Sequence, residues 1–148
     1  MTTENDRTHT VLIVDDSKED RYLLQRYLKK TNLSLVVLEA SNGQDAIDFF
    51  ITPRDELLAQ HPDIQEPLVV FLDINMPIMT GWEFLSELEQ RQDELALKHS
   101  IVVMYSTSDA DYEKERAGKF SAVSRYIVKS ETTPETLKQV ILDSKADA

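Results

Sequence analysis

Five residues follow short apolar runs and can do polar chemistry. Asp15 and Asp16 follow 11–14 (VLIV), Asp73 follows 68–72 (LVVFL), Ser106 follows 101–105 (IVVMY) and Lys129 follows 126–128 (YIV). Each run is apolar throughout rather than alternating, which is how a parallel strand covered on both faces reads. Parallel strands end on one edge of their sheet, and ligands bind outside those carboxyl ends. Three carboxylates, a hydroxyl and an ammonium are therefore expected to converge. Packed carboxylates raise the cost of ionising one another, and a hard divalent cation removes that cost. Mg²⁺ fits best, because it takes oxygen ligands, keeps several waters and commonly shares phosphate oxygens with one or two carboxylates. A carboxylate in such a site can attack phosphorus and form an acyl phosphate. Phosphoryl transfer depends mainly on positioning and charge neutralisation. The Lys129 ammonium can supply part of that neutralisation as a point charge, and the Ser106 hydroxyl can donate to a phosphoryl oxygen.

The elements that must position these residues alternate along the chain. Leu24, Tyr27 and Leu28 have helical spacing within 17–31, and 35–38 (LVVL) reads as a second strand. Ala46, Phe49 and Phe50 mark a helix after Gly43, and Phe84, Leu85 and Leu88 mark another. The segment 109–119 is helical in composition but weakly apolar. The last helix opens with Thr133 as N-cap and Pro134 at the first helical position, with Leu137, Val140 and Ile141 as its apolar face. Asp16 is a possible cap for the first helix. The one long connection, 52–67, carries three prolines and many charges, and is expected to be a surface loop that can include a helical turn. Five strand–helix units without hairpin signals predict a doubly wound α/β sheet with right-handed crossovers.

The chain has 148 residues, which suits one domain over 1–148 with a core at about 10–143 and no output domain. It has no Cys, and so no disulfide, thiolate metal site or Cys nucleophile. His9, His61 and His99 are expected to be solvated, not ligands. The net charge of −11 argues against nucleic-acid binding, which needs basic residues to neutralise phosphates. No apolar run approaches a membrane span, and the polar segment 1–10 lacks a signal peptide's apolar core. The protein is expected to be cytoplasmic, with no membrane partner.

Four segments resemble the response-regulator receiver family of two-component signalling: 11–17 (VLIVDDS), 71–81 (FLDINMPIMTG), 103–108 (VMYSTS) and 125–130 (RYIVKS). The resemblance covers roughly 10–143. It implies a flavodoxin-like fold of five parallel strands in the order 2-1-3-4-5, with helices on both faces. It also implies that Asp73 is the phosphoacceptor, that Asp15 and Asp16 hold Mg²⁺ together with Asp73, and that the Asn75 backbone carbonyl is a further ligand. By the same resemblance Ser106 is the switch hydroxyl, Lys129 the phosphoryl-binding lysine, and Tyr126 the aromatic switch that turns inward when Ser106 moves. The partner implied is a sensor histidine kinase or a histidine phosphotransfer protein, with a phosphorelay intermediate or phosphate sink as an alternative. Homodimers are common in the family; here 111–119 carries mixed charges that suit either a polar homodimer interface or a solvated face, with the solvated face slightly favoured. Small polar residues at Asn75 and Ser108 imply self-dephosphorylation of ordinary to slow rate.

Ser130 departs from the family pattern, which has proline after the lysine and a cis bond. A cis bond to Ser costs roughly 2.5–4 kcal/mol, so the bond is either trans or strained. Ser130, the long 52–67 connection and the missing output domain resemble stand-alone receivers paired with bacterial phytochromes. An aspartyl-phosphate hydrolase is disfavoured, because its acid–base Asp would stand at Asn75, which cannot transfer the proton. A flavin-binding module is disfavoured by the carboxylate-rich first loop, which repels phosphate.

Overall fold

The computed structural model describes residues 7–97 and 99–147. Within them, strand and helix alternate: β1 (Thr8–Val14), α1 (Lys18–Lys29), β2 (Ser34–Ala40), α2 (Gly43–Ile51), α3 (Arg54–Gln60), β3 (Leu68–Leu72), α4 (Gly81–Gln90), β4 (Ser100–Ser106), α5 (Asp111–Ala117), β5 (Val123–Val128) and α6 (Pro134–Asp147). The strands form one parallel sheet in the order β2-β1-β3-β4-β5, the expected flavodoxin-like arrangement.

The register explains the uninterrupted apolar runs. Along a strand, successive side chains take opposite faces. Val11, Ile13, Val69, Phe71 and Val103 point towards Leu24, Leu28, Leu137, Val140 and Ile141 of α1 and α6. Leu12, Val14, Val70, Leu72, Val102 and Met104 point the other way, against Phe50, Leu57, Phe84 and Leu85 of α2, α3 and α4. Both faces are buried, so neither tolerates a polar alternation. Val14 pairs with Leu72, and Leu72 with Met104, so β1 and β3 end side by side and β4 runs two residues further, to Ser106.

Four local expectations are revised. Within 52–67 the helical part is a two-turn helix, α3, longer than a single turn, and the remainder is loop. Asp55 and Glu56 occupy its first turn and Leu57 is buried; a single anchoring residue is too little periodicity to recognise. Ser17, not Asp16, caps α1, accepting a bond of 3.2 Å from the Asp20 N–H. His9 is buried rather than solvated, because β1 begins at Thr8 and lies between β2 and β3. β5 begins at Val123, three residues earlier than its apolar run. The Thr133 cap is as expected: its hydroxyl accepts the Thr136 N–H at 3.1 Å. Segment 1–6 of the polar N-terminus lies outside the described residues.

The loop joining β3 to α4 is held tightly. The Gly81 N–H donates to the Ile74 carbonyl at 2.8 Å, and a Cβ built on Gly81 would lie 2.4 Å from the Asp73 carbonyl oxygen. Only glycine lets α4 start this close to the end of β3. Gly81→Ala is expected to lower stability by about 1–3 kcal/mol, the range for forced overpacking, measurable by urea unfolding. In the same loop Ile78 adopts φ 71° and is 79% exposed. A β-branched residue is strained there and buries little in return. Ile78→Gly is expected to raise stability by about 1 kcal/mol.

Candidate functional site

The ends of β1, β3 and β5 bring four of the expected residues together. One carboxylate oxygen each from Asp15, Asp16 and Asp73 lies within 4.8 Å of the others. Asp15 is fixed by backbone on two sides: its N–H donates to the Ala40 carbonyl at 3.1 Å, and its Oδ1 accepts the Ser17 N–H at 2.9 Å. Arg21 Nη1 donates to the Asp15 carbonyl at 2.7 Å. Asp15 is buried, and Asp16, one residue on, is exposed. Asp73 continues the β3 ladder by donating its N–H to the Val14 carbonyl at 2.9 Å, and its Oδ1 accepts the Ile74 N–H at 2.9 Å.

Lys129 reaches into this cluster from the end of β5. Its Nζ donates to Asp15 Oδ2 at 2.7 Å and to Asp20 Oδ2 at 2.8 Å, and lies 3.7 Å from Asp73 Oδ1. The Tyr105 ring lies beneath the ammonium, 5.7 Å from ring centre to Nζ. The Lys129–Ser130 bond is trans, since Glu66–Pro67 is the cis bond among the described residues. Residues Lys129–Glu131 form a 3₁₀ turn, pinned where the Thr132 hydroxyl donates to Tyr105 Oη at 3.1 Å.

The electrostatics follow from this crowding. Burial, then the Asp15 charge, push the Asp73 carboxyl up to about 6, with Lys129 and the Ile74 N–H opposing. Burial by itself would lower the Lys129 pKa, but the hydrogen bonds to Asp15 and Asp20 and the Asp73 charge outweigh it and hold the ammonium above the ordinary lysine range. The cluster therefore carries more negative charge than Lys129 alone balances.

Ser106 and Tyr126 form a second, adjacent group. Ser106 is buried at the end of β4, and its Oγ accepts the Ser108 N–H at 3.2 Å. The Tyr126 hydroxyl donates to the Ser108 carbonyl at 2.8 Å. Burial raises the Tyr126 phenol above its ordinary value, opposed by the neighbouring Ser106 hydroxyl. The β4–α5 loop thus ties the two side chains together, and Ser106 is bonded into that loop. Asn75 is exposed just beyond Asp73.

The model of the response regulator receiver domain matches residues 11–142. The chain belongs to that family. This receiver domain is 27% identical over 140 residues to "Response regulator Rcp1" of Synechocystis, covering 95% of this chain and 89% of that protein. It is 34% identical over 104 residues to the "Autoinducer 1 sensor kinase/phosphatase LuxN" of Vibrio harveyi, covering 70% of this chain but spanning only 10% of that kinase. The solved "bacteriophytochrome response regulator AtBRR" superposes with a TM-score of 0.69 at 25% identity, covering 94% of each chain. The receiver is thus a two-component signalling domain with the CheY-type fold, and no helix among the described residues is long and apolar enough to cross a membrane.

Sequence reasoning missed Asp20, Tyr105, Thr132 and Arg21. Asp20 lies four residues past Asp16 in the first turn of α1. Its spacing from Ser17 signals a capped helix start, but not that it faces the end of β5.

Proposed function

We propose that this receiver accepts a phosphoryl group on Asp73 from a phosphohistidine, and that the resulting acyl phosphate biases the domain between two conformations. The observation that supports the reading best is the meeting of Asp15, Asp16 and Asp73 within 4.8 Å, with the Lys129 ammonium against them. The donor set fits Mg²⁺: it is all oxygen, crowded, and short of positive charge. Asp15, Asp16, Asp73 and the Asn75 carbonyl would hold the ion, which when bound supplies charge neutralisation to the carboxylates and the phosphoryl oxygens.

Asp73 Oδ1 is committed to the Ile74 N–H, which leaves Oδ2 to attack phosphorus. The new O–P bond forms as the N–P bond of the donor imidazole breaks, and the imidazole leaves with that electron pair. The Ile74 N–H fixes the carboxylate plane, so no reorganisation is needed at the moment of attack. Lys129, already 3.7 Å from Asp73, balances charge on the transferred group. The Ser106 hydroxyl, exchanging the Ser108 N–H for a phosphoryl oxygen, would release the loop that Tyr126 holds. That exchange links the chemistry to the β4–α5 loop, α5 and β5, as a population shift.

Likeness to the bacteriophytochrome response regulator AtBRR favours a phytochrome-like sensor histidine kinase as the phosphoryl source, with a histidine phosphotransfer protein as the alternative in a phosphorelay. Intact mass after incubation with phosphoramidate tests the core of the reading. Wild type is expected to gain one phosphoryl group with Mg²⁺ and none with EDTA, and Asp73→Asn none in either. No gain in folded wild type would sink the phosphoacceptor assignment.

A further inference from the structure

Lys129 is held by a residue outside the carboxylate cluster. Its Nζ hydrogen-bonds Asp15 and Asp20 at 2.7 and 2.8 Å, whereas Asp73 stands off at 3.7 Å. Asp20 is not one of the three carboxylates whose oxygens lie within 4.8 Å of one another. It is itself well fixed. Its N–H donates to the Ser17 hydroxyl at 3.2 Å, and the Ser17 N–H donates to Asp15 Oδ1 at 2.9 Å. Asp15, just past β1, and Asp20, in the first turn of α1, are therefore joined through Ser17 in one hydrogen-bonded unit. Leu24 and Leu28 seat α1 on the sheet, so the unit does not drift. Tyr105 closes the site below Lys129.

An ammonium has three donors and one charge. While two donors are spent on Asp15 and Asp20, the charge is drawn to the α1 side of the site and away from Asp73. A phosphoryl group on Asp73 has to win Lys129 from that arrangement. Asp20 is the weaker of the two holds, with its side chain 34% exposed against 3% for Asp15, and is the one that can be given up to water. We propose that Asp20 is a positioning residue that latches Lys129 in the resting receiver and thereby slows phosphoryl gain on Asp73. This rests on the phosphoacceptor reading above.

The sign distinguishes a latch from a support. If Asp20 merely propped Lys129 in its working place, its loss would slow phosphorylation. As a latch, its loss frees the ammonium and speeds it. Asp20→Asn is expected to raise the phosphoramidate rate with Mg²⁺ about fivefold, the size of one partly exposed charged pair. The same substitution in a Lys129→Ala background is expected to change nothing, since no ammonium remains to release; a general effect of charge or helix stability would persist there. A second readout needs no phosphoryl group: the ¹⁵Nζ signal of the Lys129 ammonium in metal-free protein. It should be resolved in wild type, where two carboxylates protect it from exchange, and broadened in Asp20→Asn. An unchanged or slower rate in Asp20→Asn, or a gain that survives in Lys129→Ala, overturns the latch. Failure of wild type to gain any phosphoryl group overturns the phosphoacceptor reading and the rate effect with it, while the ammonium signal still decides whether Asp20 holds Lys129.

Discussion

Lys129→Ala is expected to slow phosphorylation of Asp73 by phosphoramidate by on the order of 10²-fold, the loss typical when one preorganised charge-stabilising donor is removed. The same substitution should also damage the resting protein. Lys129 is 12% exposed at its side chain, and its partners Asp15 and Asp73 are 3% and 11% exposed. Removing the cation leaves these carboxylates facing one another and Asp20 with nothing between them. Breaking such a pair from one side costs about 3–5 kcal/mol, because the remaining charge stays buried. In EDTA the urea midpoint of Lys129→Ala should fall accordingly. Saturating Mg²⁺ should restore most of the loss, and should stabilise the variant more than it stabilises wild type. Equal stabilisation of both by Mg²⁺ would mean that the lysine and the metal do not answer to the same excess of negative charge.

Asp73→Asn is expected to stabilise the metal-free protein at neutral pH. Burial and the Asp15 charge push the Asp73 carboxyl up from 3.8 to about 6 in the folded state. Between those values the folded protein binds more protons than the unfolded chain, so stability falls as pH rises through the window. Above about pH 6 the whole cost of holding Asp73 ionised is present; a shift of about two units corresponds to about 3 kcal/mol at most. An amide cannot ionise, and its carbonyl oxygen can still accept the Ile74 N–H. Asp73→Asn should therefore exceed wild type by about 2–3 kcal/mol near pH 7.5 in EDTA, with the difference closing towards pH 4. A constant difference across that range would show that Asp73 ionisation is not its source. On the proposed function the gain is a trade: the cost of holding Asp73 ionised, which a cation or a phosphoryl group would relieve, is what the wild-type fold gives up in stability.

Much of this protein is legible in its sequence because burial on both faces leaves a plain mark. The runs 11–14, 68–72 and 101–105 are apolar at every position, since α1 and α6 cover one side of the sheet and α2 to α5 cover the other. Polar residues placed directly after such runs must lie on one edge, so the meeting of Asp15, Asp16, Asp73 and Lys129 needed no more than the pattern of the chain. Local chemistry fixed the Thr133 cap and the start of α6 as well. Where apolar periodicity was thin, the reading failed. In α3 only Leu57 is fully buried, and the charges around it read as a loop. His9 looked solvated because burial of a strand's first residues depends on its neighbours, and β1 is flanked by β2 and β3.

What only the tertiary structure decided is how the site is held. Chain spacing does not say which way the first turn of α1 faces, and so does not reveal that Asp20, 109 residues from Lys129, shares its ammonium with Asp15. The trans bond at Ser130 is what a non-proline residue favours by itself, but chain spacing does not reveal that the Thr132 hydroxyl after the 3₁₀ turn meets Tyr105. The same holds for the Tyr126 hydroxyl, whose partner is a carbonyl on the neighbouring β4–α5 loop. Sequence dictates which groups reach the sheet edge, because that follows from hydrophobic burial and alternation. Hydrogen-bond partners across that edge follow from distances of a few ångströms between elements far apart in the chain, and those are set only when α1, β5 and the sheet pack against one another.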